Sequence, residues 1–389
     1  MNSKISAIPP IIAGLISVIV NYGGTFILIF QAAQMAGLSP EQTASWVWSI
    51  SIGVGITGIM LSWYTKEPII TAWSTPAAAF LITALVTVSY SEAIGAYILS
   101  AVAFVILGLT GYFEKLIRLI PSVIASGLLA GILLQFGISA FLNMTINPIL
   151  AISLFFIYLI TKRFSPRYAI VSVLIFGFIF LLLQSQIDFS TIEVKLAYPI
   201  FTEPTFSLNA ILSVALPLFL ITLTGQYMPG LLILKNDGFK TGAKPILAIT
   251  GLGSILMAPF GSHAFNLSAI TSAICTGKES HEDPSKRWIA GVAAGIVYIL
   301  VGVFGVTLAA LFAAFPAVFI STLAGLALLS TIAGSLANAM NDVDTREAAI
   351  ITFIATAANI NLFGIGGAFW GLVLGLLSYF ILNKKFKKD

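Results

Sequence analysis

The chain has 389 residues, of which 58% are hydrophobic and only 9% are charged, and its mean hydropathy is +1.03. Water-soluble domains carry about 25% charged residues, so this composition excludes a soluble protein and indicates an all-α polytopic membrane protein. The net charge of +4 comes from basic residues in predicted loops, which gives no support for nucleic-acid binding, and the single cysteine excludes a disulfide framework or a cysteine-rich metal site.

Hydropathy predicts about 14 membrane-crossing segments in two halves of seven. The residues before the first apolar run carry only Lys4, so we expect no cleavable signal peptide. A polar outer linker, 188–208, separates the first half, 1–187, from the second, 209–389. The predicted segments are 11–33, 43–63, a short one at 69–85, 91–113, 122–141, 147–162, 168–187, 209–233, 244–259, a short one at 262–276, 288–314, 317–337, 346–361 and 364–383.

The loop charges predict the orientation in the membrane. With the N-terminus inside, all lysines and arginines fall on the cytoplasmic side except Lys195. Basic residues are retained on that side. We therefore expect an even number of crossings, with both termini cytoplasmic.

The two halves also show a weak internal repeat. With seven crossings each, they would enter the membrane in opposite directions. The sequence at 120–131 resembles that at 315–325, and the short third and tenth segments occupy matching places. Paired interruptions of this kind indicate the substrate site of a transporter. The alternative is that both are ordinary packed helices with small residues for close approach.

Each short segment has a polar lead-in followed by a short helix, so each is predicted to present a helix N-terminus to the membrane interior. Unpaired N–H groups at such an end bind carboxylates. Pro76 fits a first helical turn, where its missing N–H is not needed. The predicted N-terminal residues are Thr75, Pro76 and Ala77 in the third segment and Phe265, Asn266 and Leu267 in the tenth.

Over nearly its whole length the chain resembles the benzoate–proton symporter family of bacterial inner membranes. The most specific motifs lie at 30–34, 71–76, 225–230 and 260–277. The layout is more distantly similar to the nucleobase–ascorbate and sulfate/bicarbonate carriers. The resemblance implies a seven-plus-seven inverted repeat, with a core domain from 11–113 and 209–314 and a gate domain from 114–187 and 315–383. It also implies a substrate held between the third and tenth segments.

One departure from those distant relatives bears on the substrate. Uracil-type carriers use glutamates on the eighth and tenth segments. In this chain Gln226 falls near the first of these and His263 takes the place of the second. Loss of two acids argues against a nucleobase and suits an anion.

The candidate site residues each carry an alternative. His263 is the only titratable group at depth and is the candidate for proton coupling. Alternatively it is a neutral histidine bonded to backbone, with the proton travelling on the substrate. Gln226 binds either the ligand or another helix, and Asn266 caps its helix, contacts substrate, or does both. Trp73 and Phe265 could sandwich an aromatic ring; the alternative for Trp73 is an anchor at the membrane interface. Tyr22 fits ligand binding and a structural role equally well.

The sequence therefore predicts a secondary active transporter that imports an aromatic carboxylate, benzoate above others, with protons. The alternatives are a carrier for another small organic anion or a nucleobase, or an anion channel. We expect no enzymatic activity, cofactor or metal. The expected surroundings are the lipid bilayer of a bacterial inner membrane, and the oligomeric state, including a homodimer, stays open.

Overall fold

The computed structural model describes residues 7–119, 121–187, 194–269, 271–278, 280–360, 362–363 and 367–383. Residues 188–193 of the predicted linker and the terminal lysines of the orientation argument lie outside these ranges. The described chain is almost entirely helical. Its α-helices are α1 (Ile8–Thr25), α2 (Ile27–Met35), α3 (Pro40–Thr65), α4 (Thr75–Ala84), α5 (Tyr90–Thr110), α6 (Phe113–Leu119), α7 (Ser122–Ile146), α8 (Pro148–Phe164), α9 (Ala169–Leu183), α10 (Leu208–Ala210), α11 (Leu216–Thr222), α12 (Met228–Asn236), α13 (Ala243–Met257), α14 (Ser272–Thr276), α15 (Trp288–Val303), α16 (Gly305–Ala313), α17 (Ala317–Ala339), α18 (Arg346–Ala357) and α19 (Gly367–Asn383).

Eight helical stretches of the described chain are long and apolar enough to cross a bilayer. Three shorter apolar helices accompany them: Thr75–Ala84, Ala169–Leu183 and Gly367–Asn383. The chain is therefore a multi-pass membrane protein, as its composition predicted. The long stretches are Ile8–Met35, Pro40–Thr65, Tyr90–Thr110, Ser122–Ile146, Leu208–Asn236, Ala243–Phe260, Pro284–Val303 and Ala317–Ala339.

The fifth of these stretches departs from regular α-helical geometry. The stretch from Leu208 to Asn236 contains two π-helical turns, Ile211–Ala215 and Leu223–Tyr227. A π turn carries one extra residue and leaves backbone groups open to other partners, and such turns are frequent at functional sites. The second turn holds Gln226.

Two short strands meet in the middle of the fold. Strand β1 (Thr71–Trp73) pairs antiparallel with β2 (Phe265–Leu267), and Ala72 lies opposite Asn266. The first broken segment consists of β1, Ser74 and α4; the second consists of β2, Ser268 and α14. Backbone inside a membrane must satisfy its own polar groups, and mutual pairing does this for both strands.

The structure corrects the predicted start of the second short helix. Phe265, Asn266 and Leu267 were expected at its N-terminus, but they form β2, and α14 begins only at Ser272. The reason is the pairing with β1, which holds these three residues extended. The expected start at Thr75 and Pro76 is confirmed for α4.

The helices pack in two groups. Helices α7, α8, α9, α17, α18 and α19 pack mainly with one another, and α1 to α5 pack mainly with α11, α13, α15 and α16. Within the second group, α3 and α15 approach closely at glycine. A Cβ on Gly295 would lie 2.6 Å from the carbonyl oxygen of Gly55, and the reverse distance is the same. Small residues permit such approach between membrane helices.

Gly295→Ala should therefore lower the apparent melting temperature of the detergent-purified protein. The added methyl group has no room between two backbones, and overpacking of this kind costs about 1–3 kcal/mol. Gly334→Ala on α17 is the matched control, because its Cβ would meet no heavy atom within 4 Å. Equal melting temperatures for the two variants would contradict this packing.

Candidate functional site

A serine follows each strand and accepts a hydrogen bond from the N–H three residues further on. Ser74 Oγ accepts a hydrogen bond from the Ala77 N–H (3.3 Å), and Ser268 Oγ accepts one from the Thr271 N–H (3.2 Å). Each bond satisfies a backbone donor that an N-terminal turn leaves open. The same order of strand, serine and helical turn thus occurs in both broken segments.

Gln226 joins its π turn to the second broken segment. Its side chain is 3% exposed, and Oε1 accepts a hydrogen bond from the Ala269 N–H (3.1 Å). Among the described residues, no acceptor lies within hydrogen-bond distance of Nε2. The oxygen is thus committed to the fold, and the amide nitrogen is left as a donor. Both roles considered for Gln226 from the sequence, helix contact and ligand binding, are compatible with this arrangement.

Asn266 connects the two broken segments rather than capping its own helix. In the amide orientation that satisfies both atoms, Nδ2 donates to the Leu267 carbonyl (2.8 Å) and Oδ1 accepts from the Ser74 N–H (3.1 Å). The capping prediction is therefore wrong: Asn266 lies in β2, and the N-cap position of α14 is Thr271. Leu267 is also completely buried, opposite Thr71.

His263 is fully buried among aromatic rings. Its Nδ1 accepts a hydrogen bond from Trp46 Nε1 (3.2 Å), and its ring packs edge-on against Trp46 (5.7 Å between centroids) and near Tyr97 (6.4 Å). A nitrogen that accepts an N–H bond carries no proton, so in this conformation His263 is the neutral Nε2–H tautomer. This bond is to a side chain, whereas the alternative considered from the sequence was a bond to the backbone, and Nε2 makes no hydrogen bond within the described residues.

Trp73 lies at the centre of an aromatic and polar cluster. Its ring is 5.1 Å from Tyr22 and 5.2 Å from Phe26, and its Nε1 donates to Thr25 Oγ1 (3.1 Å). Tyr22 in turn shares a hydrogen bond with Ser51 (2.6 Å). These contacts fix the tryptophan against α1 and α3.

Phe265, the residue opposite Trp73, has different neighbours. Its ring fills the space beside Gly53 and Gly253, where an added Cβ would lie within 2.5 and 2.9 Å of it. The two aromatic rings proposed to sandwich a substrate are therefore occupied by separate packing contacts in this conformation.

Cavities lie between the two groups of helices on either side of these segments. Cavity A has a volume of about 730 Å³, and cavity B about 810 Å³. Residues from the C-terminal half of α17 line both cavities, and Thr331 belongs to both walls. Cavity C, about 570 Å³, lies at the N-terminal start of α17. The walls of cavity A include Asn21, Thr25, Lys162, Thr271 and Ser330, and those of cavity B include Leu129, Thr224, Gly225, Met228 and Asp342.

Thr75 and Pro76 lie close to this junction. Both are buried, and a Cβ on Gly225 would lie 3.4 Å from the Pro76 ring, so the start of α4 contacts the π turn of Gln226. The structure therefore brings the site residues predicted from the sequence to one region. The exception is His263, whose ring is held against Trp46.

Sequence reasoning missed four contributors: Ser74, Ser268, Thr25 and Trp46. A serine directly before a short helix was an available capping signal for Ser74, whereas Ser268 lies four residues before α14. Thr25 and Trp46 had no such signal, since each acts through a residue distant in the chain.

A family model described as "Benzoate membrane transport protein" matches residues 4–381. The chain is 44% identical over 373 residues to the benzoate membrane transport protein of Acinetobacter baylyi, covering 96% of this chain and 95% of that protein. It is 39% identical over 382 residues to the inner membrane protein YdcO of Escherichia coli, with 98% of each chain covered.

Solved structures of anion transporters share the fold. The superposition on SLC26A9 has a TM-score of 0.65 at 10% identity and covers 98% of this chain and 66% of that chain. The transmembrane domain of the cyanobacterial bicarbonate transporter BicA gives a TM-score of 0.60 at 14% identity, with 95% and 96% covered.

Asn266→Ala should destabilise the protein, because it leaves the buried Leu267 carbonyl and Ser74 N–H without these partners. Each such loss costs about 1–3 kcal/mol. The melting temperature should fall well below that of Asn341→Ala, an exposed asparagine that serves as the control. An unchanged melting temperature would show that Asn266 does not connect the two segments.

Proposed function

The chain belongs to the family of benzoate membrane transport proteins, and from that premise we propose that it imports benzoate, or a closely similar aromatic carboxylate, together with protons. It is a transporter and not an enzyme. We place it in a bacterial inner membrane with both termini in the cytoplasm, which the distribution of basic residues supports.

The observation that carries the substrate proposal is the amide of Gln226. Because its oxygen already accepts the Ala269 N–H, the group of this side chain that makes no hydrogen bond to the described residues is the Nε2 donor. A site that presents donors favours a carboxylate, whose oxygens accept hydrogen bonds. A nucleobase needs acceptors as well as donors, and the resemblance to uracil-type carriers places acids where this chain has Gln226 and His263.

The mechanism we propose is movement of the core domain against the gate domain. The assignment of α7 to α9 and α17 to α19 to the gate agrees with the way these helices pack together. The 14 crossings then form two inverted repeats, which the repeated order of strand, serine and helical turn supports. Cavities between the two groups at both ends of α17 would serve as the alternating routes to the site.

For the proton, we propose that it travels with the carboxylate. His263 has no free nitrogen to take up a proton in this conformation, since Nδ1 accepts the Trp46 N–H and Nε2 carries the proton of the neutral ring. The alternative is proton uptake by His263 in another conformation, where loss of the Trp46 bond would free Nδ1.

Purified protein in liposomes should accumulate labelled benzoate when the outside is acidic, and a protonophore should abolish accumulation. If the wild-type protein ignores benzoate but concentrates another anion or a nucleobase in a competition panel, the substrate proposal fails. Unitary currents without saturable uptake would indicate a channel.

His263→Gln should remain dependent on the proton gradient if the proton travels with the substrate. Exchange that persists in this variant without gradient-driven accumulation would instead assign the proton to His263.

Gln226→Glu separates the two roles of this side chain. The carboxylate keeps an acceptor for the Ala269 N–H but replaces the amide donors, so uptake should fall at least about tenfold. Desolvation of the buried carboxylate should also lower the melting temperature, so uptake is compared per amount of folded protein. Gln226→Ala should lose both uptake and stability. Gln186→Glu, at an exposed position, controls for the added charge. Wild-type uptake by the Gln226→Glu variant would contradict the donor role.

A further inference from the structure

Cavity A contains a lysine at its rim. Lys162 lies in the last turn of α8 and is half-buried, and its Nζ donates a hydrogen bond to Ser330 Oγ on α17 (2.7 Å). The same ammonium lies 5.9 Å from the centre of the Tyr158 ring. Both contacts hold the long side chain along the cavity wall, with its ammonium group against Ser330.

Cavity B has the opposite charge. Its wall includes Asp342, whose Oδ2 accepts a hydrogen bond from Thr345 Oγ1 (2.9 Å) and whose Oδ1 accepts from the Asp344 N–H (3.1 Å). The two cavities lie side by side along α17, so one presents a cation and the other an anion to solutes that approach the same region.

Cavity A also reaches the polar cluster around Trp73. Thr25 and Asn21 line its inner part, and Thr25 Oγ1 accepts the hydrogen bond from Trp73 Nε1. Thr271, at the start of the second broken segment, lines it as well. A carboxylate in cavity A would thus pass from an ammonium group to a series of hydroxyl and amide groups.

We propose that the carboxylate substrate passes between the site and the cytoplasm through cavity A rather than cavity B, and that Lys162 attracts and positions it at the opening. This inference rests on the proposed function. A charge in a cleft with low-dielectric walls raises the local concentration of counter-ions, and salt screens that effect. The aspartate of cavity B would repel the same anion.

The test measures benzoate KM on each face of the membrane, in everted and right-side-out vesicles containing wild-type protein or one of three variants. Lys162→Gln should raise KM about 3–10-fold on the cytoplasmic face alone, and the difference should shrink at high salt. Lys162→Arg should retain the wild-type KM. Asp342→Asn is the matched control and should leave KM unchanged, because the proposed route does not pass cavity B.

The outcomes separate the inference from the function on which it rests. Wild-type benzoate transport with no KM change in Lys162→Gln, or with equal changes on both faces, overturns the role of Lys162 and leaves the proposed function standing. A lowered KM in Asp342→Asn, with no change in Lys162→Gln, would move the route to cavity B, because it would show that the anion passes the repelling aspartate. Absence of benzoate transport by the wild type would overturn both proposals.

Discussion

The fold depends on the pairing of two broken segments in the interior of a membrane protein. Neither is long enough to cross a bilayer as a helix, and each begins with extended backbone whose polar groups water cannot reach. Pairing of β1 with β2 satisfies part of this backbone, and the side chains of Ser74, Ser268, Asn266 and Gln226 satisfy more of it. Polar residues are therefore required here by the architecture alone.

The same requirement prepares the site for a ligand. Once Gln226 has used its oxygen on the backbone, its amide nitrogen remains as a hydrogen-bond donor. In our proposal, a residue that stabilises the broken segment therefore also selects the ligand. In our account the site selects a carboxylate because its uncommitted groups are donors, and a positive charge is needed only at the approach.

The sequence was sufficient for the membrane class, the place of the two short segments and the start of α4, because hydropathy, length and a proline in the first turn are local signals. It failed for the second segment. The extended conformation of Phe265 to Leu267 depends on a partner strand nearly two hundred residues away, which no local pattern encodes. The Trp46–His263 hydrogen bond is equally distant in the chain, so the depth of His263 could be predicted but its environment could not.

The most direct measurement is a structure determined with benzoate bound. Our account predicts the carboxylate between the two broken segments, with one oxygen within about 3.2 Å of Gln226 Nε2, a normal hydrogen-bond distance. His263 should still accept the Trp46 N–H in that complex. Benzoate bound away from Gln226, with its carboxylate paired to His263 or placed in cavity C, would contradict the central claim that the donors of the broken segments select the anion.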